Sequence, residues 1–356
     1  MDYTAPLWLP GGQMQTIWPA LLSRRVFGPE PHYRRERWPT PDGDFIDVDW
    51  LVDMAPTHPA APGALPAEGA GPRRGRPLLV QFHGLEGSSR SHYSEAFADY
   101  ARERGWDFAV PHFRGCSGEL NLAPRAYHSG DFTEIDWILR RFRAGRDSQG
   151  GGPVLAVGVS LGGNALMRWA GELGAAAGSV ASAVAAVCSP IDLAAGGWAI
   201  GRGINRLIYT PMFLRTMKPK ALRKLAQHPG LFDRAALLAA RDLYAFDNVF
   251  TAPLHGFRDT EDYWARASAK PHLPAIRIPA LVDNPRNDPF VPAHCLPTAA
   301  QAGPCVTLWQ PAHGGHVGFP QGRPPAHVRA MPDAVGAWLG NAGAALIQPD
   351  RTAPHG

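Results

Sequence analysis

Residues 153–163 read Pro-Val-Leu-Ala-Val-Gly-Val-Ser-Leu-Gly-Gly. An unbroken apolar run, the pattern of a strand buried on both faces, leads into Gly158-Val159-Ser160-Leu161-Gly162, and helix-forming residues follow from position 164. A serine flanked by glycine two residues to either side fits a very tight strand-to-helix turn. A Cβ at either glycine would collide with neighbouring chain, and the serine itself must hold a strained backbone. Such a turn lifts the hydroxyl clear of the sheet and sets the start of a helix beneath any oxyanion that develops there. Glycine-x-serine-x-glycine is common by chance; its position between a buried strand and a helix gives it meaning here.

Outward from this point the chain repeats the same alternation. Short apolar runs predict strands at 78–82, 108–112, 154–159, 184–188, 280–283 and 306–309, with helical stretches at 93–104, 130–143 and 164–173. This order predicts an α/β fold with a mostly parallel, doubly wound sheet and right-handed crossovers. Before it, residues 33–53 alternate in polarity around Pro41-Asp42-Gly43, which predicts an antiparallel hairpin at the sheet's N-terminal edge. Residues 55–76 are rich in Pro, Ala and Gly and read as a flexible surface excursion. Residues 194–263 are basic, aromatic and helix-prone with no clear strand, as expected of a cap inserted over the sheet, and residues 325–346 close with an amphipathic helix. The expectation is a single domain over 1–356 with no internal repeat.

Composition narrows the function classes. The chain has 356 residues, and its 35 Lys and Arg against 31 Asp and Glu give a net charge of +4 without a basic run long enough to follow a phosphate backbone, which disfavours nucleic acid as a partner. Gly 39 and Pro 36 suit a fold with many tight turns, and 45% hydrophobic content excludes global disorder. Cys116, Cys188, Cys295 and Cys305 lie far apart with no Cys-x-x-Cys pair, so they read as free thiols in a reducing compartment. The N-terminal stretch is unlike a secretory signal, and the longest small-apolar run, 175–188, is too short to span a bilayer. A cytoplasmic protein without an integral membrane segment is the expectation.

Partners for Ser160 occur downstream. Asp288, in Asn-Pro-Arg-Asn-Asp-Pro, leaves the carboxyl end of the strand at 280–283, where ligands gather in open α/β sheets. His316 follows the strand at 306–309 in His313-Gly314-Gly315-His316. The order Ser160, Asp288, His316 is that of α/β-hydrolase triads, with His316 as general base and Asp288 fixing its tautomer. Asp283 and Asp192 are rival acids, and His313 is a rival base; an Asp-Pro step holding Asp288 extended, and two glycines permitting close approach of His316, favour the first set. The turn His83-Gly84-Leu85 can aim the Leu85 N–H beside the Leu161 N–H as a two-donor oxyanion hole, with His83 bracing the loop. Arg114 also follows a strand and could line a pocket. His228 and Asp233 match an acyltransferase spacing that chance explains.

Several stretches carry a resemblance: LWLPGGQMQTIWPAL at the start, then FHGLEGSSRSHY, FRGCSGELNLAPRAYHSGDFTEI, GVSLGGNAL, GFRDTEDYWARASA, NDPFVP and GGHVGF. In this order, over nearly the whole chain, the sequence resembles the YheT-like, embryogenesis-associated branch of the α/β-hydrolase fold superfamily. The resemblance implies an α/β-hydrolase fold with N-terminal antiparallel strands and an inserted helical cap. It also implies a serine esterase or lipase acting on carboxylic esters through Ser160, Asp288 and His316, with no metal and no organic cofactor. Gln13 stands where this branch usually has histidine, and Asn287-Asp288-Pro289 replaces the more frequent Asp-Asp-Pro. The expected function is hydrolysis of short- to medium-chain or lipid esters through an acyl-serine, with Trp198, Tyr209, Phe213 and Leu214 of the cap walling an acyl pocket. An acyltransferase or thioesterase with the same triad, or a binding module without catalysis, are the alternatives.

Overall fold

The computed structural model describes residues 1–52 and 75–345, so nearly all of the 55–76 excursion lies outside the described residues. Eight strands form one sheet: β1 (Tyr33–Pro39), β2 (Phe45–Leu51), β3 (Leu78–Phe82), β4 (Asp107–Pro111), β5 (Val154–Val159), β6 (Ala183–Val187), β7 (Ala280–Asp283) and β8 (Val306–Trp309). Their spatial order is β1-β2-β4-β3-β5-β6-β7-β8. β1 pairs antiparallel to β2 and β2 antiparallel to β4, and every later pairing is parallel. The predicted strand positions hold to within a residue, and the hairpin turns at Pro41-Asp42-Gly43.

Helices cover both faces, which is why the inner strands read as continuous apolar runs rather than alternating ones. α1 (Gly11–Leu21) precedes the sheet. α2 (His92–Glu103), α3 (Phe132–Ser148) and α4 (Leu161–Leu173) are crossovers between strands. On β5, Leu155, Val157 and Val159 pack with Phe97 and Ala101 of α2 and with Val335 and Leu339 near the chain's end. Val154 and Ala156 face the other way, into Ile138 and Leu139 of α3 and Leu166 and Trp169 of α4. α3 starts two residues later than predicted because the Asp131 carboxylate caps it, accepting from the Glu134 N–H. α4 begins at Leu161, three residues earlier than predicted, directly after the serine.

Between β6 and β7 the chain leaves the sheet and forms α5 (Leu193–Ile200), α6 (Gly203–Gln227), α7 (Arg234–Ala239), α8 (Leu243–Val249), α9 (Thr251–Leu254) and α10 (Thr260–Ala267). α11 (Ala299–Ala302) precedes β8, and α12 (Ala330–Ala345) packs on α2 and β6. The helices of 193–267 have their own small cores, one around Leu237, Phe246 and Phe250 and another around Tyr263 and Trp264. No described helix is long and apolar enough to cross a membrane.

α1 was not foreseen, because Pro10, Gly11, Gly12 and Pro19 argue against helix. Gly12 serves contact instead. A Cβ on Gly12 would sit 1.8 Å from the Asn287 carbonyl oxygen, so only glycine lets α1 lie against the loop after β7. Gly12→Ala should force the two apart and destabilise the fold by about 1–3 kcal/mol, the usual range for overpacking, which a lowered thermal midpoint would register.

Candidate active site

The turn after β5 has the geometry its glycines require. Ser160 sits at φ 53° and ψ −118°, outside the regions an L-residue prefers. A Cβ on Gly158 would come within 2.4 Å of the Gly162 carbonyl oxygen, and one on Gly162 within 2.5 Å of the Phe82 carbonyl oxygen. The turn is thus clamped between its own far side and β3, and the strain at Ser160 is held by packing that no larger residue would permit.

Ser160, His316 and Asp288 form one hydrogen-bonded line. The Ser160 Oγ lies 3.1 Å from His316 Nε2, and His316 Nδ1 lies 2.9 Å from Asp288 Oδ2. A carboxylate can only accept, so Nδ1 carries the imidazole proton and Nε2 is left to accept from the serine hydroxyl. The second carboxylate oxygen of Asp288 accepts from the Phe290 and Val291 N–H groups at 2.7 and 3.2 Å, which fixes the acid's orientation. The Phe290 ring packs on the imidazole with centroids 4.2 Å apart.

The rivals fall elsewhere. Asp192 caps α5 through the Ala195 N–H. Asp283 is fully buried with neither oxygen hydrogen-bonded among the described residues, and burial raises its carboxyl well above the usual range. His313 is exposed and, among the described residues, reaches only Asn287, at 3.5 Å. The glycines before His316 work differently from their sequence reading: a Cβ on Gly314 would strike Pro285 and one on Gly315 would strike the Gln15 backbone, so they admit the neighbouring chain rather than Ser160.

The turn opposite Ser160 is braced from several sides. His83 is fully buried, its Nδ1–H donating to the Gly84 carbonyl at 2.7 Å while Nε2 accepts from the Phe113 N–H at 3.1 Å. Burial, with the nearby His112 adding to it, pushes its pKa down to about 3, so the ring is a neutral strut, as its sequence position suggested. The Tyr93 hydroxyl accepts from the Gly84 N–H at 2.9 Å. Glu86, at φ 57°, accepts from Tyr127 Oη at 2.8 Å and from Lys220 Nζ of α6 at 2.7 Å, tying this turn to the cap. Among the described residues neither the Leu85 nor the Leu161 N–H donates to another protein group, so both remain available to a ligand oxygen.

A cavity between sheet and cap contains this site. Ser160, Leu161, Leu85 and His316 lie at one side, and Phe213, Met217, Phe246 and Phe250 of the cap wall the other. Of the four cap residues expected there, only Phe213 lines it. Trp198 stacks on Tyr244, Tyr209 packs on Phe290, and Leu214 joins the cap's own core. Arg114 borders the cavity but is held by Asp42, Asp44 and Glu134.

α1 supplies contacts that sequence reasoning missed. Gln15 Oε1 accepts from Asn287 Nδ2 at 2.9 Å and from the Gly314 N–H at 3.0 Å, and Thr16 Oγ1 accepts from the His316 N–H at 2.8 Å. Asn287 Oδ1 in turn accepts from the Gly315 N–H at 3.0 Å. The loops carrying Asp288 and His316 are therefore pinned to one helix and to each other. Gln13 meets Asn205 and Tyr209 of α6 at 2.7 and 2.6 Å, so the residue that departs from the usual histidine joins α1 to the cap. The only sequence signal for these roles was the opening motif itself. Cys188 Sγ, the Asp288 carboxylate and His316 lie within 4.8 Å of one another, and all three are engaged by protein groups: Sγ donates to the Gly315 carbonyl and accepts from the Val317 N–H, while the carboxylate and the imidazole bind each other.

Comparison with known proteins gives the family. The alpha/beta hydrolase fold family matches residues 77–322, and the chain belongs to that family. It is an enzyme of the hydrolase class in the YheT-like branch: it is 36% identical over 308 residues to "Putative esterase YheT" of Escherichia coli K12, covering 86% of this chain and 83% of that protein. "Phospholipase ABHD3" of Mus musculus is 27% identical over 332 residues, covering 90% and 74% of the two chains. The esterase Pf2001 of Pyrococcus furiosus shares the fold at a TM-score of 0.50 and 13% identity, covering 92% of this chain and 98% of that one.

Thr16→Val keeps the shape of the side chain but removes the acceptor for the His316 N–H, together with the hydroxyl's own bond to the Gly12 carbonyl within α1. Losing one such hydrogen bond costs about 0.5–1.5 kcal/mol, so turnover is expected to fall roughly three- to tenfold with KM little changed, measured by steady-state hydrolysis of a soluble ester.

Proposed function

We propose that the protein is a serine hydrolase that cleaves carboxylic esters, short- to medium-chain or lipid, through an acyl-serine on Ser160. The observation that carries this reading is the unbroken line from Ser160 Oγ through both nitrogens of His316 to Asp288, beside an apolar cavity. Relatives named as esterase and phospholipase support the ester as the bond cleaved.

In this mechanism Ser160 Oγ attacks the ester carbonyl while His316 Nε2 takes its proton, and Asp288 stabilises the imidazolium that forms. The carbonyl oxygen, now carrying the charge, lies between the Leu85 and Leu161 N–H groups, the latter at the start of α4 where the helix dipole adds to the attraction. Collapse expels the alcohol, which receives the proton from His316. Water then enters, His316 takes one of its protons, attack on the acyl carbon releases the acid, and Ser160 recovers its hydrogen. The strained backbone at Ser160 holds the nucleophile ready before substrate arrives, so little reorganisation is needed at the reacting centre. Phe213, Met217, Phe246 and Phe250 offer an apolar wall for the acyl chain.

Ser160→Ala should lower kcat/KM for p-nitrophenyl acyl esters by at least about 10⁴-fold, in line with loss of a serine nucleophile elsewhere, while the thermal midpoint stays within a few degrees of the parent. Activity retained in this variant would remove Ser160 as nucleophile.

A further inference from the structure

We propose that the outer face of α6 is a docking surface for an anionic lipid bilayer, a role that goes beyond the ester-hydrolase reading. α6 has two unlike faces. Its inner residues Phe213, Met217, Lys220 and Lys224 border the cavity. Its outer residues Ile204, Leu207, Ile208 and Met212 are 58%, 77%, 38% and 50% exposed and join none of the apolar clusters of the fold. Their spacing of three and four residues sets them in one row along the helix, with Pro211 between them. Four large apolar side chains standing in water on one stripe call for an apolar partner.

Charge says which partner. Residues 193–232 contain seven Lys and Arg and no Asp or Glu, while the rest of the chain has 28 Lys and Arg against 31 Asp and Glu. The basic excess of the protein is therefore concentrated on α6 and its N-cap Arg202, with Lys220 and Lys224 turned toward the cavity and the arginines left outside. Arg202, Arg206, Arg215 and Arg223 are all exposed, and none meets a carboxylate among the described residues. Arg215 continues the apolar row, three residues after Met212 and seven after Ile208. The Arg202 guanidinium stacks on half-exposed Trp198, 5.0 Å from its ring centroid, beside the start of the row. An apolar stripe continued by unpaired arginines, with a tryptophan at its end, matches a surface whose headgroups are anionic and whose interior is apolar. A second copy of the chain would bring the same arginines face to face, and a nucleic acid would leave the apolar row exposed. Docked this way, the helix that walls the cavity rests on the lipid, which places the cavity next to a reservoir of apolar esters.

The test is co-sedimentation of the full chain with vesicles of phosphatidylcholine, with and without phosphatidylglycerol. The proposal expects binding to the vesicles containing phosphatidylglycerol, little to phosphatidylcholine alone, and weakening as salt is raised. Leu207→Glu with Met212→Glu should abolish binding, and Arg206→Gln and Arg215→Gln should each weaken it about fivefold. In all of these variants, hydrolysis of soluble p-nitrophenyl butyrate and the thermal midpoint should match the parent. Ser160→Ala should bind vesicles as the parent does, so failure of the hydrolase assignment and failure of docking are read separately. Binding that ignores phosphatidylglycerol, or that survives Leu207→Glu with Met212→Glu, would overturn the proposal. A dimer in solution that the same double substitution dissociates would overturn it in favour of a second copy.

Discussion

The structure depends on a steric constraint at one turn. Ser160 occupies a backbone conformation that costs an L-residue on the order of 1–3 kcal/mol, and it persists because Gly158 and Gly162 let the turn close to distances no Cβ would tolerate. That closure points the hydroxyl away from the sheet, starts α4 one residue later, and leaves the Leu161 N–H without a protein partner among the described residues. Everything else at the site is arranged to meet the hydroxyl there.

Two supports come from outside the sheet. α1 reaches across the chain to hold the loops of Asp288 and His316 through Gln15 and Thr16, so the relative position of these two residues rests on three sequence-distant segments locked by hydrogen bonds. α6 reaches the opposite side, where Lys220 and Glu86 join the cap to the turn bearing Leu85. Gln13 connects the two supports by bonding α1 to α6. The cap is thus a neighbour of both halves of the site as well as a cover over the cavity.

Much of this was legible in the sequence because it depends on short-range physics. Apolar runs bounded by turns located the strands of the parallel sheet, and Gly158-Val159-Ser160-Leu161-Gly162 announced its own geometry. Chain order then singled out Asp288 and His316 as the partners that the structure brings to Ser160. What could not be read depends on contacts remote in the chain. Helix α1 looks unfavourable by propensity, and Gly12 makes sense only once the Asn287 backbone is seen beside it. The cap was visible as composition, but which of its aromatic residues face the cavity is set by helix packing, so Trp198, Tyr209 and Leu214 were misplaced while Phe213 was not. Asp283 and Asp288, five residues apart, differ by environment rather than by motif: one is buried without a hydrogen-bond partner among the described residues, the other is aimed at an imidazole.

The central claim is that Ser160 is a nucleophile activated by His316, and its most direct test is covalent. Purified protein treated with a fluorophosphonate and digested should yield a single adduct on the peptide containing Ser160, and His316→Ala should lose the adduct while remaining folded. No adduct under conditions that label an established serine esterase, or an adduct on a different residue, would contradict the account.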